Sequence, residues 1–340
     1  MSGIKKRAAC LAACFLALIF VFAQPLCAQA ASVSAPLPEV RTLTYSEKET
    51  CKKELFFSAR FADEAGTLLP YRYYLPEQGE DLPLIVFLHG SGERGTDNDR
   101  QLDNAILRPF LEDAQSPFYG AMVLAPQCPV KQYNNGWVDL ASEGGWFTYT
   151  NYSVDKTPES AECKALVALI EKTCRTHPID RGRIYLIGLS QGAVAIWDLL
   201  ARHGELFAAA VPIAGVGDVS EAERYADIPI YAFHGKEDPI IPYENATPAL
   251  CEAIEACGKG KLNFVAFEDG AHDIWEQAIV FAGAEGLPAL DGWLFSQRRA
   301  HTQNKLVYVI AGAAAAVLVA GIALSVFAVR SKCAKCASGG

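Results

Sequence analysis

Arg183-Ile184-Tyr185-Leu186-Ile187-Gly188-Leu189-Ser190-Gln191-Gly192 joins a short apolar run to the pattern G-x-S-x-G, and this junction decides how the rest of the chain is read. A strand that passes at once into a helix through a serine flanked by glycines is a nucleophile elbow. In it the serine takes a strained backbone conformation and larger neighbours would collide. The expected consequence is a Ser190 hydroxyl lifted into a cleft. An ordinary surface turn produces the same five letters, so the assignment depends on what surrounds it.

Outward from the elbow, apolar segments alternate with amphipathic ones. Expected strands cover 55–61, 68–75, 82–89, 121–125, 183–189, 208–213, 229–234 and 262–267, and expected helices 101–113, 158–176, 191–203, 246–257 and 272–282. Strands interleaved with helices of this length imply a mostly parallel sheet of about eight strands with helices on both faces. Sites in such sheets form at the carboxyl ends of the strands.

A serine hydroxyl is a poor nucleophile near neutral pH, so Ser190 needs a base, and the base needs an acid that fixes its tautomer. The chain has six histidines. His177 and His203 read as surface residues, His301 lies beside the apolar C-terminal stretch, and His89 and His234 end strands in His-Gly pairs that shape the backbone. His272 follows the last strand and is the expected base. Asp238, in His234-Gly235-Lys236-Glu237-Asp238-Pro239, also follows a strand and is the expected acid, with Glu237 and Asp273 as competitors. The order Ser190, Asp238, His272 is that of α/β-hydrolases. Two N–H donors are needed for the oxyanion: that of Gln191, and that of Ser91, or failing it Gly92, in the turn His89-Gly90-Ser91-Gly92-Glu93-Arg94-Gly95. That turn lacks the Lys-Ser/Thr ending of a nucleotide-binding loop.

Between the fourth strand and the next helix lie Tyr133, Trp137, Trp146, Phe147, Tyr149 and Tyr152. Loops this long are commonly functional, so Trp137 and Trp146 are expected to line a substrate cleft, with local packing as the alternative. No metal-ligand spacing or dinucleotide fingerprint is present, and the chemistry calls for no cofactor. The formal charge of −9 argues against a nucleic-acid partner, which requires a basic surface.

The ends carry separate signals. Lys5, Lys6 and Arg7, the apolar stretch 8–23 and Ala28-Gln29-Ala30 make a secretory leader over 1–30 with cleavage after Ala30, a lipoprotein at Cys27 being the minor alternative. Residues 31–50 read as a linker and 51–300 as the catalytic domain. Residues 306–329 run without a charge for about 36 Å of helix, enough to cross a bilayer. Basic residues flank both ends of that stretch, so the leader sets the orientation: the domain is expected outside the cell, with 330–340 as a cytoplasmic tail. Cys333 and Cys336 in that tail read as solvated or lipidated thiols rather than a metal site. Of the domain's six cysteines, Cys163 and Cys174 share a helix and lie too far apart to bridge. Cys251 and Cys257 could join only if their helix ends early.

His89 to Gly95, Ala125-Pro126-Gln127-Cys128-Pro129, Arg183 to Gly192, Phe207-Ala208-Ala209-Ala210-Val211-Pro212 and Trp293-Leu294-Phe295-Ser296-Gln297-Arg298-Arg299 resemble, in order, the exported esterase and "predicted peptidase" group of α/β-hydrolases. Feruloyl esterases and polyhydroxybutyrate depolymerases are relatives of that group. The resemblance spans about Leu68 to Arg299. It implies Ser190 as nucleophile, Asp238 as acid, His272 as base, and Gln191 and a Ser91-region amide as oxyanion donors. Many members carry methionine where this chain has Gln191, but only the backbone is required there. The expected activity is hydrolysis of small-molecule or polymer-linked carboxylic esters. A peptidase of short peptides and a non-catalytic binding protein on the same scaffold are the alternatives.

Overall fold

A nine-stranded sheet organises the chain. The computed structural model describes residues 31–35, 53–77, 79–104, 106–107, 116–130, 136–140 and 152–299. The expected leader, the apolar span 306–329, the tail 330–340, Trp146 and the second half of the helix expected at 101–113 lie outside the described residues. The chain divides into two units, Met1–Arg298 and Arg299–Gly340. Among the described residues no helix is long and apolar enough to cross a membrane.

The strands are β1 (Ala31–Ala35), β2 (Phe57–Ala62), β3 (Leu68–Tyr74), β4 (Leu82–Leu88), β5 (Met122–Pro126), β6 (Ile179–Leu189), β7 (Ala209–Ile213), β8 (Ile230–Gly235) and β9 (Leu262–Phe267). Their order across the sheet is β1-β9-β8-β7-β6-β4-β5-β3-β2. β2 and β3 pair antiparallel with each other, and β3 with β5; every other pairing is parallel. Eight of the strands are those expected. The ninth lies in the stretch expected as linker: Ala31–Ala35 pairs with Asn263–Phe267 along the sheet edge.

The helices are α1 (Ala161–Thr176), α2 (Gln191–His203), α3 (Ala222–Tyr225), α4 (Thr247–Ala256), α5 (Trp275–Ile279) and α6 (Leu290–Ser296). Ser160 caps α1 by accepting from the Cys163 N–H, so the helix begins three residues later than expected. α5 begins three residues after His272, which leaves that histidine in a turn rather than on the helix.

Every residue of β4 is buried, which is why the strand reads as an unbroken apolar run. Leu84, Val86 and Leu88 project into one core with α1, α2 and α4, while Ile85 and Phe87 project into the other with α5 and α6. That is the period-two alternation of a strand covered on both faces. β5 lies on one side of β4 and β6 on the other, so the chain reverses direction across the sheet at β4/β6. A crevice opens at such a point beyond the carboxyl ends of the strands.

Cys163, Cys174, Cys251 and Cys257 are free thiols. α4 runs to Ala256, and the Cys257 thiol donates to Ala253 O, so the early helix end needed to bridge it to Cys251 does not occur.

Candidate active site

Ser190 sits between β6 and α2 with φ 51° and ψ −120°, a left-handed conformation that a residue with a Cβ adopts only when its surroundings impose it. Two contacts impose it here. The Ser190 N–H donates to Ile213 O of β7 at 2.9 Å, and Gly192 lies so close to β4 that a Cβ there would fall 2.0 Å from Leu88 O. Gly188 is tight against the same carbonyl, at 2.9 Å. The flanking glycines are therefore required by close approach of backbones, and the strain turns the serine out of the sheet.

The Ser190 hydroxyl donates to His272 Nε2 at 2.9 Å, and His272 Nδ1–H donates to Asp238 Oδ2 at 2.7 Å. Because the carboxylate only accepts, Nδ1 carries the proton and Nε2 is free to accept from serine. Trp275 stands edge-on to the imidazole, centroids 5.5 Å apart. Asp238 Oδ1 accepts from the Ile240 and Ile241 N–H groups at 2.8 and 2.9 Å. Burial opposes ionisation of this carboxyl, but hydrogen bonds from His234, His272 and the Ile241 N–H outweigh it and hold Asp238 well below the usual carboxylate range. The competing acids Glu237 and Asp273 are exposed. Thus Ser190 after β6, Asp238 after β8 and His272 after β9 converge at one end of the sheet, an arrangement able to remove a proton from the serine and stabilise the resulting imidazolium.

The turn after β4 lies beside the serine. Gly90 is buried beside the serine, since a Cβ on it would lie 3.5 Å from Ser190 Cβ, and Ser91 starts a short 3-10 turn, Ser91–Glu93. Among the described residues no backbone acceptor takes the Ser91 or Gln191 N–H.

His89, expected to shape the backbone here, holds the turn in place together with Gln127 and Asn98, which carried no such expectation. His89 Nδ1–H donates to Gly90 O at 2.6 Å, while Nε2 accepts from Cys128 N at 2.9 Å. Gln127 Nε2 donates to Glu93 O, and its Oε1 accepts from Asn98 N. Asn98, at φ 58°, donates through Nδ2 to Ser58 Oγ, Ala59 O and Tyr71 O, tying the turn to β2 and β3. A polar residue after a strand end was the available sequence signal, but its partners lie tens of residues away.

Trp137 corrects an expectation. It is fully buried, its ring packs on His89 with centroids 5.3 Å apart, and Nε1–H donates to His89 O at 3.3 Å. It therefore lies beneath the turn and does not line a cleft. Tyr152, of the same aromatic group, donates its hydroxyl to Asp198 Oδ1 at 2.6 Å, which is local packing. Among the described residues there is no cluster of three metal-ligating side chains.

Burial, aided by the charge of Arg94, pulls the His89 imidazole down to about 4 from 6.5. An imidazole depressed in the folded state contributes stability that is present above pH 6.5 and lost as pH falls towards about 4. The full span is about 3 kcal/mol. Urea midpoints measured across this interval should fall in the wild type and fall less in a folded His89→Gln variant. Equal slopes would mean that His89 does not carry the loss. Comparing wild type with this variant separates His89 from Glu93, whose carboxyl burial pushes up.

This sheet, with a strained serine between β6 and α2 and an acid and a histidine at later strand ends, defines an α/β-hydrolase. Residues 76–283 match the phospholipase/carboxylesterase family, and the chain belongs to it and so to the ester hydrolases. An acyl-protein thioesterase 1 from Candida albicans is 27% identical over 209 residues, covering 57% of this chain and 87% of that protein. A putative esterase, NocK, from Nocardia uniformis subsp. tsuyamanensis is 23% identical, covering 76% and 71%. The crystal structure of a thermostable esterase superposes with a TM-score of 0.60 at 35% identity, covering 73% of this chain and 64% of that one.

Proposed function

We propose that this ester hydrolase cleaves carboxylic esters through an acyl-enzyme on Ser190. The observation that carries the reading is the continuous hydrogen-bonded series Ser190 Oγ, His272, Asp238. Ser190 Oγ attacks the ester carbonyl as His272 Nε2 takes its proton, and Asp238 stabilises the imidazolium and keeps its orientation. The carbonyl oxygen, now negative, is met by the Gln191 and Ser91 N–H groups, and the first-turn amides of α2 add their positive end. His272 then returns the proton to the departing alcohol. Water, deprotonated by the same nitrogen, releases the acid.

The test is labelling by a fluorophosphonate, which should modify the folded wild type once per chain and leave Ser190→Ala untouched. Absence of labelling of folded wild type would sink the reading. Rates on p-nitrophenyl esters, acyl thioesters and aminoacyl p-nitroanilides then rank the leaving groups. Esters or thioesters should lead, and faster turnover of the anilides would make the protein a peptidase.

The enzyme is further proposed to work outside the cell, held by the apolar stretch 306–329 after removal of the leader. The charge-free run of 24 residues and the tripartite start of the chain support this. Protease added to intact cells should then digest the domain; protection, or recovery of the domain free in the medium, overturns it.

A further inference from the structure

Asp238 serves two imidazoles. Its Oδ2 lies 2.7 Å from His272 Nδ1 and 3.2 Å from His234 Nε2, while Oδ1 already accepts two backbone N–H groups. A carboxylate offers about four lone-pair sites, and the last of them faces the His234 Nε2–H, which is shared with Ile241 O at 2.9 Å. His234 closes β8 and is fully buried. Its Nε2 is also 2.9 Å from Ile241 O, and its Nδ1 is 2.7 Å from Thr247 Oγ1. With two acceptors facing Nε2, that nitrogen must carry a proton. Thr247 sits at the start of α4, and its hydroxyl is also 2.9 Å from Gly215 O. Gly215 follows β7 and is packed against α2, since a Cβ on it would lie 2.5 Å from Ala193 Cβ. A line of close polar contacts thus runs from the turn beside α2 through Thr247 and His234 to the carboxylate that holds His272, the single Thr247 hydroxyl proton being shared between Gly215 O and His234 Nδ1.

We propose that His234 is a positioning residue of the reaction: oriented by Thr247, its Nε2–H fixes the Asp238 carboxylate in the one orientation that presents Oδ2 to His272. This rests on the assignment of Ser190, His272 and Asp238 given above. Without the His234 donor the carboxylate keeps its two backbone bonds but can swing about them, and a buried lone pair is left unmatched. Displacement of this kind weakens the reaction without changing substrate binding, because His234 touches neither Ser190 nor the crevice.

The experiment measures kcat and KM separately on a p-nitrophenyl ester, with thermal midpoints, for His234→Ala, His234→Gln, Thr247→Val and Thr247→Ser. His234→Ala should lower kcat roughly 10²-fold with KM nearly constant, the scale of a small misplacement of a reacting group. Glutamine, which restores an N–H at that reach, should recover most of the rate. Thr247→Val should lower kcat and Thr247→Ser should retain most of it. The proposal is overturned if folded His234→Ala turns over like wild type, if glutamine rescues nothing, or if the losses fall in KM. Where His234→Ala does not fold, the Thr247 pair decides, and equal kcat for valine and serine overturns the proposal. A failure of the underlying assignment looks different, because fluorophosphonate labelling would then persist in Ser190→Ala.

Discussion

Asp238→Asn is expected to lower kcat for ester hydrolysis about 10⁴-fold in a protein that still folds, the scale of losing the correct imidazole tautomer. The size of the effect follows from the bonds around the side chain. Oδ1 accepts from the Ile240 and Ile241 N–H groups, so an asparagine there must place its carbonyl oxygen at that position. Its amide nitrogen is then forced into the place of Oδ2, facing His272 Nδ1, where it donates instead of accepting. His272 answers by moving its proton to Nε2, and an Nε2–H cannot accept from the Ser190 hydroxyl. The flip that would relieve this sets an NH2 against two backbone N–H groups. Circular dichroism checks the fold and steady-state kinetics the rate. A loss smaller than tenfold would show that another group orients His272.

The same geometry explains what the sequence disclosed and what it withheld. Ser190, Asp238 and His272 were legible because a parallel sheet confines its site to strand ends, and each follows an apolar run that only a buried strand requires. The helix 191–203 was legible to the residue, because the glycine-flanked elbow fixes its start. Trp137 misled because an aromatic in a long loop reads equally as a cleft wall or as packing. What decides is that its indole N–H meets the carbonyl of His89, 48 residues earlier, and no local pattern encodes that pairing. Ala31–Ala35 was read as linker because its residues are small and carry little hydrophobic signal. It becomes a strand through backbone bonds to β9, a contribution to which side-chain pattern is blind. His234 was read as shaping the backbone at the end of β8. Its place beside Asp238, four residues on, depends on the turn that brings Ile241 O and the carboxylate to the same nitrogen.

Gly192→Ala should be among the most destabilising single methyl additions at the described glycines. A Cβ at this position would lie 2.0 Å from Leu88 O, 2.6 Å from Leu88 C and 2.8 Å from His89 O. All three are backbone atoms, so no side-chain rotation relieves the contact, and α2 must move away from the end of β4 by more than an ångström, on the order of the gap between these distances and ordinary van der Waals contact. That movement is resisted from both sides. Leu88 is held in register with Gly188 of β6, and the other face of α2 is seated in the core through Val194, Trp197 and Leu200. The cost is expected to exceed about 3 kcal/mol, the upper range for overpacking in a rigid site, against a total stability of about 5–15 kcal/mol for a domain. Gly120→Ala, whose added methyl meets nothing within 4 Å, is the control and should change stability by less than about 0.5 kcal/mol. Urea midpoints of the two variants decide the matter, and a wild-type midpoint for Gly192→Ala would mean that the helix can leave the strand cheaply. Any activity that survives should be depressed as well, because the step that moves α2 off Leu88 also carries the Gln191 N–H away from the turn at Ser91. The glycine that makes the elbow foldable would in this way also hold the Gln191 and Ser91 N–H groups in the relative position that the proposed oxyanion role requires.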